Sequence, residues 1–321
     1  MTTHQLNSLM ALGIEIIPDA ALAHYTTFRL GGPCPFLLEC KTPSQLEQAV
    51  QALNEQKMKF ILIGGGSNLV VSDQGVDRAV IRYVSDHPLI QHEDGVLYVA
   101  ASTILDDLAL YCAQHGLEGL NCTTGIPGTV GGAVVGNAGA FGKQIGDCLQ
   151  TAVLLSPDGK TRETVNKDLK FTYRNSRLKE TDDIVVAARF KLGTADPQHL
   201  MQERAEILSL RHEKHPDVGL LPCAGSFFRN IEPTSKAEKR QAAGFFLEEA
   251  GAKKLKVGGA AIFEKHANII IKADEQCKAQ DVFELSRQMH ELVKRTQKLD
   301  LVREVRFVGH FSGGDGKGMF W

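Results

Sequence analysis

The chain has 321 residues, enough for two or three domains that each bury a core. Hydrophobic residues make up 43% and charged residues 23%, which is ordinary for a globular protein and excludes a disordered chain. A formal net charge of -2 excludes a global field that draws in nucleic acid or an acidic membrane, so an anionic ligand must be held by local amides or a few placed cations.

Residues 1–20 lack a basic segment followed by an apolar run, so no signal peptide is read there. No stretch approaches the roughly 20 apolar residues of a membrane span, and a cytoplasmic protein without membrane insertion is expected. The first clear element is a helix: Thr42 is its N-cap, Pro43 sits at N1 and Gln45 completes a capping box. Leu46, Ala49, Val50 and Leu53 then fall on one face. The apolar run Phe60–Ile63, ending in glycines, reads as a buried strand, and Ala79–Tyr83 as another. A second helix is expected over 104–115, stopped by Gly116. Strands follow at 152–156 and 184–192.

The character changes after Leu192. Residues 193–197 read as a linker, followed by a helix through Met201, Ala205, Ile207 and Leu208. A loop with Pro216, Pro222 and Gly225 comes next, then helices near 237–250 and 280–294, with a strand at 269–271 between them. Residues 311–321, with four glycines and the only Trp, read as a frayed tail. The mixture of helices and strands throughout predicts an α+β or α/β protein. Seven cysteines, an odd number with no C-x-x-C pair, predict free thiols in a reducing compartment and no metal site.

Two glycine-rich segments carry most of the local chemistry. Gly64-Gly65-Gly66-Ser67-Asn68 follows the 60–63 strand directly. Successive glycines can turn their N–H groups inward as a nest for phosphate oxygens, and Ser67 and Asn68 add short polar groups; a plain structural turn is the alternative. The pattern is not the dinucleotide fingerprint of a Rossmann fold, because Leu69 stands where a small residue is needed. The second segment holds Thr124, Gly125, Pro127, Gly128, Thr129, Gly131 and Gly132, a tight loop with amides and hydroxyls. Two such loops suit the walls of a cleft for a nucleotide cofactor.

In order along the chain, eight segments resemble the UDP-N-acetylenolpyruvoylglucosamine reductase family. They are HYTTFRLGG from His24, GGGSNLVVSD from Gly64, GLEGL from Gly116 and TGIPGTVGGAVVGNAGAFG from Thr124. YRNSRLK from Tyr173, AGSFFRN from Ala224, KVGGAAIFEKHAN from Lys256 and REVRFVG from Arg303 complete the series. The resemblance implies an α+β protein: an FAD-binding fold of the vanillyl-alcohol-oxidase type in two subdomains (residues 1–80 and 81–195), a C-terminal α+β substrate-binding domain (196–310) and a tail (311–321). It further implies non-covalent FAD between the subdomains, held by both glycine loops, NADPH as hydride donor, and UDP-N-acetylglucosamine enolpyruvate as the substrate reduced to UDP-N-acetylmuramate. A monomer is expected, since no strongly apolar surface helix demands a partner.

By the same resemblance, Arg174, Ser226 and Glu304 stand at the family's three catalytic positions. The implied reaction passes a hydride from flavin N5 to the β carbon of the enolpyruvyl group and leaves a carbanion at the α carbon, spread into the carboxylate. A guanidinium fork at Arg174 suits that carboxylate, and donors preorganised toward developing charge are often worth about 2.7–4 kcal/mol each. Ser226 suits protonation, since a strongly basic carbanion can take a hydroxyl proton. Glu304 either polarises the carboxylate or anchors Arg174. Without the motif, each reads as a surface arginine, a loop serine and a surface ion-pair partner. Lys214, Asn230 and His266 are implied contacts of the UDP moiety; Lys214 also reads as a plain surface lysine and His266 as a satisfied, half-buried histidine. No tyrosine-bearing insertion separates Arg174 from Lys214, which places the chain with the shorter class of these reductases. Two rivals remain on the residues: an alcohol or sugar oxidase on the same flavin fold, and a non-catalytic flavin- or UDP-binding regulator.

Overall fold

The structure, a computed structural model, describes residues 9–93, 95–233 and 239–314. Contacts group the chain into two interleaved units: residues 1–20, 34–65 and 77–211, and residues 21–33, 66–76 and 212–321.

In the first unit, a four-stranded sheet runs in the order Glu15–Ala21, Pro33–Cys40, Ala79–Tyr83, Phe60–Ile63, with the last three strands parallel. The helix Pro43–Glu55 starts as its sequence directs: Thr42 accepts the Gln45 amide, and the Gln45 side chain accepts the Thr42 amide. Its buried face is Leu46, Ala49, Val50 and Leu53. An antiparallel five-stranded sheet follows in the order Thr161–Val165, Leu149–Leu155, Ile184–Lys191, Val96–Ala100, Ile90–Glu93. The predicted strand at 152–156 therefore begins three residues earlier, because Leu149 still pairs with Phe190 across an irregular register. The helix Leu105–Gln114 matches its prediction within a residue at each end, with Gly116 beyond it at φ +66°.

The segment predicted as a linker does more than connect. Gly193–Thr194 pairs with Leu117–Glu118, and the helix Pro197–Lys214 belongs to the first unit as far as Arg211. It buries Leu200 and Ile207 there, and polar bonds add to the hold: the Asn121 side chain donates to the Leu200 carbonyl at 3.2 Å and to Glu203 at 2.6 Å.

In the second unit, an antiparallel sheet has the order Cys223–Ser226, Ile269–Lys272, Ala260–Ile262, Lys256–Val257, and Arg306–Val308 runs parallel to Leu69–Val71. Phe28, Phe227, Phe283, Phe307 and Phe311 share its core. Phe311 corrects the frayed-tail reading at its start: the ring is 8% exposed and stacks on Phe283 at 5.2 Å between centroids. Residues 315–321 lie outside the described residues. The helix predicted over 237–250 is Ala243–Glu249; Gln241 instead forms a bridge with Ile231, and residues 237–238 are not described.

All seven cysteines are free, as predicted, and burial pushes the thiols of Cys40, Cys112 and Cys277 up to about 12. No helix among the described residues is long and apolar enough to cross a membrane.

The helix Ala279–Gln297 starts at Lys278, which contributes no acceptor to the helix amides that a side-chain cap would satisfy. Asp73, some two hundred residues earlier in the chain, fills that role, with Oδ1 accepting from the Ala279 amide at 2.8 Å and Oδ2 from the Gln280 amide at 3.1 Å. This capping ties the segment after the first glycine loop to the longest helix. Asp73→Ala removes a cap worth about 1 kcal/mol, and the urea midpoint of unfolding falls accordingly; an unchanged midpoint rejects the capping role.

Candidate active site

Two loops meet in the first unit. Gly64 and Gly65 leave the Phe60–Ile63 strand and press against Thr129 and Gly128, so that a Cβ on Gly65 would lie 3.1 Å from Gly128 Cα and one on Gly64 would collide with Thr129 Oγ1. Only glycine allows backbones this close. Among the described residues, no hydrogen bond engages the amide N–H groups of Gly64, Gly65 or Gly128. Donors left open where two main chains converge fit the phosphate oxygens of a nucleotide cofactor.

Other members of the second loop serve the protein itself. Thr129 N-caps the helix Val130–Gly136 by accepting from the Gly132 amide, and the Gly131 amide donates to the Ala101 carbonyl at 2.9 Å. Thr124 is fully buried, with its hydroxyl accepting from Arg204 at 3.3 Å, and the Gly125 amide donates to Asp106 at 2.6 Å. Gly66, Ser67 and Asn68, the rest of the first loop, belong to the second unit. There the Asn68 side chain donates to the Glu304 carbonyl at 3.1 Å.

Arg174 sits in a turn at φ +54°, with Thr172 and Asn175 bonded to each other through their main chains. A non-glycine residue in the left-handed region is held there by its surroundings. The Asn137 side chain donates to the Thr172 carbonyl at 2.8 Å, and the Ser176 hydroxyl to the Val135 carbonyl at 2.7 Å. The arginine turn is thus fastened to the helix that the second glycine loop begins. Lys179 Nζ donates to the Arg174 carbonyl at 2.6 Å, and the guanidinium lies 5.3 Å from the Tyr173 ring centroid.

In the second unit the structure brings Ser226 and Glu304 together. The Glu304 amide donates to the carbonyl of Phe227, the residue after Ser226, at 2.8 Å. Ser226 follows Gly225, which takes φ +74° where Cys223 pairs with Ile271 and Ser226 with Ile269. Ala224 and Gly225 thus oppose the single residue Ile270, a bulge of the kind that re-aims a side chain. Asn268 fixes the strand beyond: its Oδ1 accepts the Phe228 amide at 2.9 Å and its Nδ2 donates to the Phe228 carbonyl at 2.8 Å. Val305 and Phe307 are buried in the core while the alternate residues Glu304 and Arg306 are half-buried.

Lys214, Asn230 and His266 gather near the helix Ala243–Glu249. Asn230 Oδ1 accepts the Ala243 amide at 3.2 Å, and a Cβ on Gly244 would lie 3.2 Å from His266 Cε1. Burial holds His266 below the ordinary histidine range, and the charges of Lys253 and Lys214 add to the effect. The ring is neutral at pH 7, and since Nδ1 accepts the Asn268 amide at 3.2 Å, Nε2 carries the proton and is a donor. His215 lies beside it, with ring centroids 5.6 Å apart. Lys214 and Asn230 are exposed.

Sequence reasoning missed Asp106, Arg204, Arg211 and Asn268. Asp106 and Arg204 form a bidentate pair at 2.8 and 2.6 Å, with the Arg204 side chain 8% exposed and that of Asp106 35%. A signal was available: Arg204, Leu208 and Arg211 recur at i, i+4 and i+7, one face of a helix.

Comparison with known proteins accords with these features. The FAD binding domain family matches residues 35–164, and the family described as UDP-N-acetylenolpyruvoylglucosamine reductase, C-terminal domain, matches residues 215–308. The fold is therefore that of a flavin-dependent oxidoreductase, α+β, with an FAD-binding part followed by a second α+β part. A UDP-N-acetylenolpyruvoylglucosamine reductase of Lactobacillus delbrueckii subsp. bulgaricus is 32% identical over 305 residues, which is 95% of this chain and 99% of the relative. UDP-N-acetylenolpyruvoylglucosamine reductase 1 of Bacillus cereus is 35% identical over 296 residues, covering 92% of this chain and 95% of its own. The crystal structure of the corresponding enzyme from Thermus caldophilus superposes with a TM-score of 0.74 at 32% identity, over 92% of this chain and 98% of that one. The chain belongs to the UDP-N-acetylenolpyruvoylglucosamine reductase family of peptidoglycan precursor synthesis.

The Arg204–Asp106 pair yields a pH prediction. Burial raises the Asp106 carboxyl, but the hydrogen bonds from Arg204 and the Gly125 amide outweigh it and hold the group below the ordinary carboxylate range. A depressed folded-state value stabilises above the unfolded value of about 3.9 and is lost as pH falls through the folded one. Asp106→Asn strands a buried guanidinium; because Asp106 itself is a third exposed, the loss at pH 7 is about 2–3 kcal/mol, below the usual 3–5. Urea titrations at pH 7 and below pH 4 check this, since the gap between variant and wild type narrows at the lower pH.

Proposed function

We propose that this protein reduces the enolpyruvyl group of UDP-N-acetylglucosamine enolpyruvate to give UDP-N-acetylmuramate, with NADPH as the reductant. The observation that carries the reading is the close packing of Gly65 on the Gly128 main chain and of Gly64 on the Thr129 side chain, which leaves amides open for a diphosphate, in a chain of this family. FAD, which Gly64, Gly65, Gly66, Ser67, Asn68 and the loop from Thr124 to Gly132 would hold non-covalently, would supply the hydride chemistry that links NADPH, through flavin N5, to the β carbon. Everything else falls to side chains. Arg174 meets the substrate carboxylate with two parallel N–H donors, so that charge spreading from the α carbon is stabilised as it forms. Ser226, aimed by the bulge at Gly225, gives its hydroxyl proton to the α carbon. Together the hydride and the proton add two hydrogens across the double bond and leave the lactyl ether.

Glu304, fastened to Phe227 and Asn68 through its main chain, polarises the carboxylate or anchors Arg174. Exposed Lys214 offers a point charge to the UDP diphosphate, and Asn230 and the neutral Nε2–H of His266 offer hydrogen bonds. Two FAD-binding subdomains meeting near residue 80, a substrate-binding part from 196 to 310, monomeric state and a cytoplasmic location belong to the same proposal. The oxidase alternative gains nothing from any observed feature.

The purified protein is expected to be yellow and to consume NADPH only when the enolpyruvyl sugar is present. Ser226→Ala still lets NADPH bleach the flavin in a stopped-flow trace, but turnover on the sugar drops by a factor on the order of 10²–10⁴, the range of general-acid catalysis. Full turnover by the variant removes Ser226 as the proton donor, and a protein indifferent to this sugar removes the reaction.

A further inference from the structure

One face of the helix Pro197–Lys214 lies against the second glycine loop. The point that a Cβ on Gly125 would occupy is 3.0 Å from Leu208 Cδ2, 2.9 Å from Arg211 Cδ and 3.4 Å from Arg211 Nε. Arg204, two turns before Arg211 on the same face, commits its guanidinium to both oxygens of Asp106, and Asp106 also accepts the Gly125 amide. The carboxylate on this face is therefore already matched, and Arg211 receives no comparable partner. Its Nε is buried without an acceptor, and no hydrogen bond reaches its side chain from the described residues.

Its electrostatic setting is equally unfavourable. Burial and then the positive charge of Arg174 weaken its hold on its proton, and Asp106 offsets them only in part. A guanidinium nevertheless stays charged in proteins. A buried donor left unmet costs about 1–3 kcal/mol. Nothing among the described residues repays that arrangement at Arg211, whereas an incoming oxyanion supplies the missing acceptor.

We propose that Arg211 is a ligand-binding residue, its guanidinium forming beside Gly125 a pocket for an oxyanion, a carboxylate or a phosphate. Two ligands of the proposed reaction carry such a group, the diphosphate of FAD and the carboxylate of the enolpyruvyl sugar; the inference rests on that reading only for the names of these ligands. Arg211 is thereby a cation at the site, seven residues along the helix from the structural pair Arg204–Asp106.

The test uses Arg211→Met, which keeps the apolar stem, and Arg211→Lys, which keeps the charge without the fork. In FAD-stripped protein, Arg211→Met melts at or above the wild-type Tm, because a repelled and unpartnered charge has been removed. Binding moves the other way. A dissociation constant for FAD at least tenfold weaker, read by quenching of flavin fluorescence and partly restored in Arg211→Lys, identifies the diphosphate as the anion. Unchanged FAD binding with at least tenfold weaker binding of the enolpyruvyl sugar, read from perturbation of the flavin absorbance, identifies the carboxylate. Both constants within twofold of wild type overturn the pocket and leave the reductase reading standing. If the wild type binds neither ligand, that reading has failed and inorganic pyrophosphate decides the pocket. Greater thermal stabilisation of wild type than of Arg211→Met sustains it, and equal shifts overturn it.

Discussion

The approach of two main chains at Gly64–Gly65 and Gly128–Thr129 is the constraint from which the chemistry of the first unit follows. Each loop arrives from a rigid element, one from the end of a buried parallel strand and the other at the N-cap of the helix Val130–Gly136. Because glycines face each other at Gly65 and Gly128, the two backbones approach directly there, with the Thr129 side chain packed against Gly64, and the N–H groups of Gly64, Gly65 and Gly128 stay open. The helix begun by the second loop then carries Asn137 and Val135, which hold the turn of Arg174 through Thr172 and Ser176. One close contact thus orders both the amides suited to a cofactor and the guanidinium suited to a carboxylate.

A different device holds the second unit. Its reactive candidates are positioned by main-chain bonds: the bulge at Gly225 turns Ser226, the Glu304 amide bonds to Phe227, and the buried side chain of Asn268 satisfies both main-chain groups of Phe228. Beneath them lies a cluster of phenylalanines that Phe307 and Phe311 complete. Main-chain positioning resists the rotamer freedom that would blur a proton transfer. Lys214 and Asn230, by contrast, stand on exposed positions, which is suited to a diphosphate that any well-placed charge can reach.

The charge distribution follows the same local logic. With a net charge of -2 the chain offers an anion no general attraction, and cations are instead set at particular points. Where a cation serves the fold, as Arg204 does, its carboxylate is supplied within the same unit. Where the fold supplies none, as at Arg211, the position is marked for something from outside.

The sequence alone determined the local elements that a short-range rule governs. The capping box at Thr42 and Gln45, the apolar strand ending in glycines and the helix stop at Gly116 depend on residues within one or two turns of each other. It also identified the family, because eight short segments in order are themselves local signals. Tertiary structure decided what each polar residue does. Thr124 and Thr129 read as ligand hydroxyls, and only the fold shows that each also accepts a bond within the protein, from Arg204 and from the Gly132 amide. Phe311 read as part of a loose tail until the rings of Phe283 and Phe307 gave it a partner. Asp73 capping a helix that begins at residue 279, and Asp106 paired with Arg204, join residues far apart in the chain. Such pairings carry no local pattern, since what selects them is the burial of a charge or an amide that only the assembled fold creates.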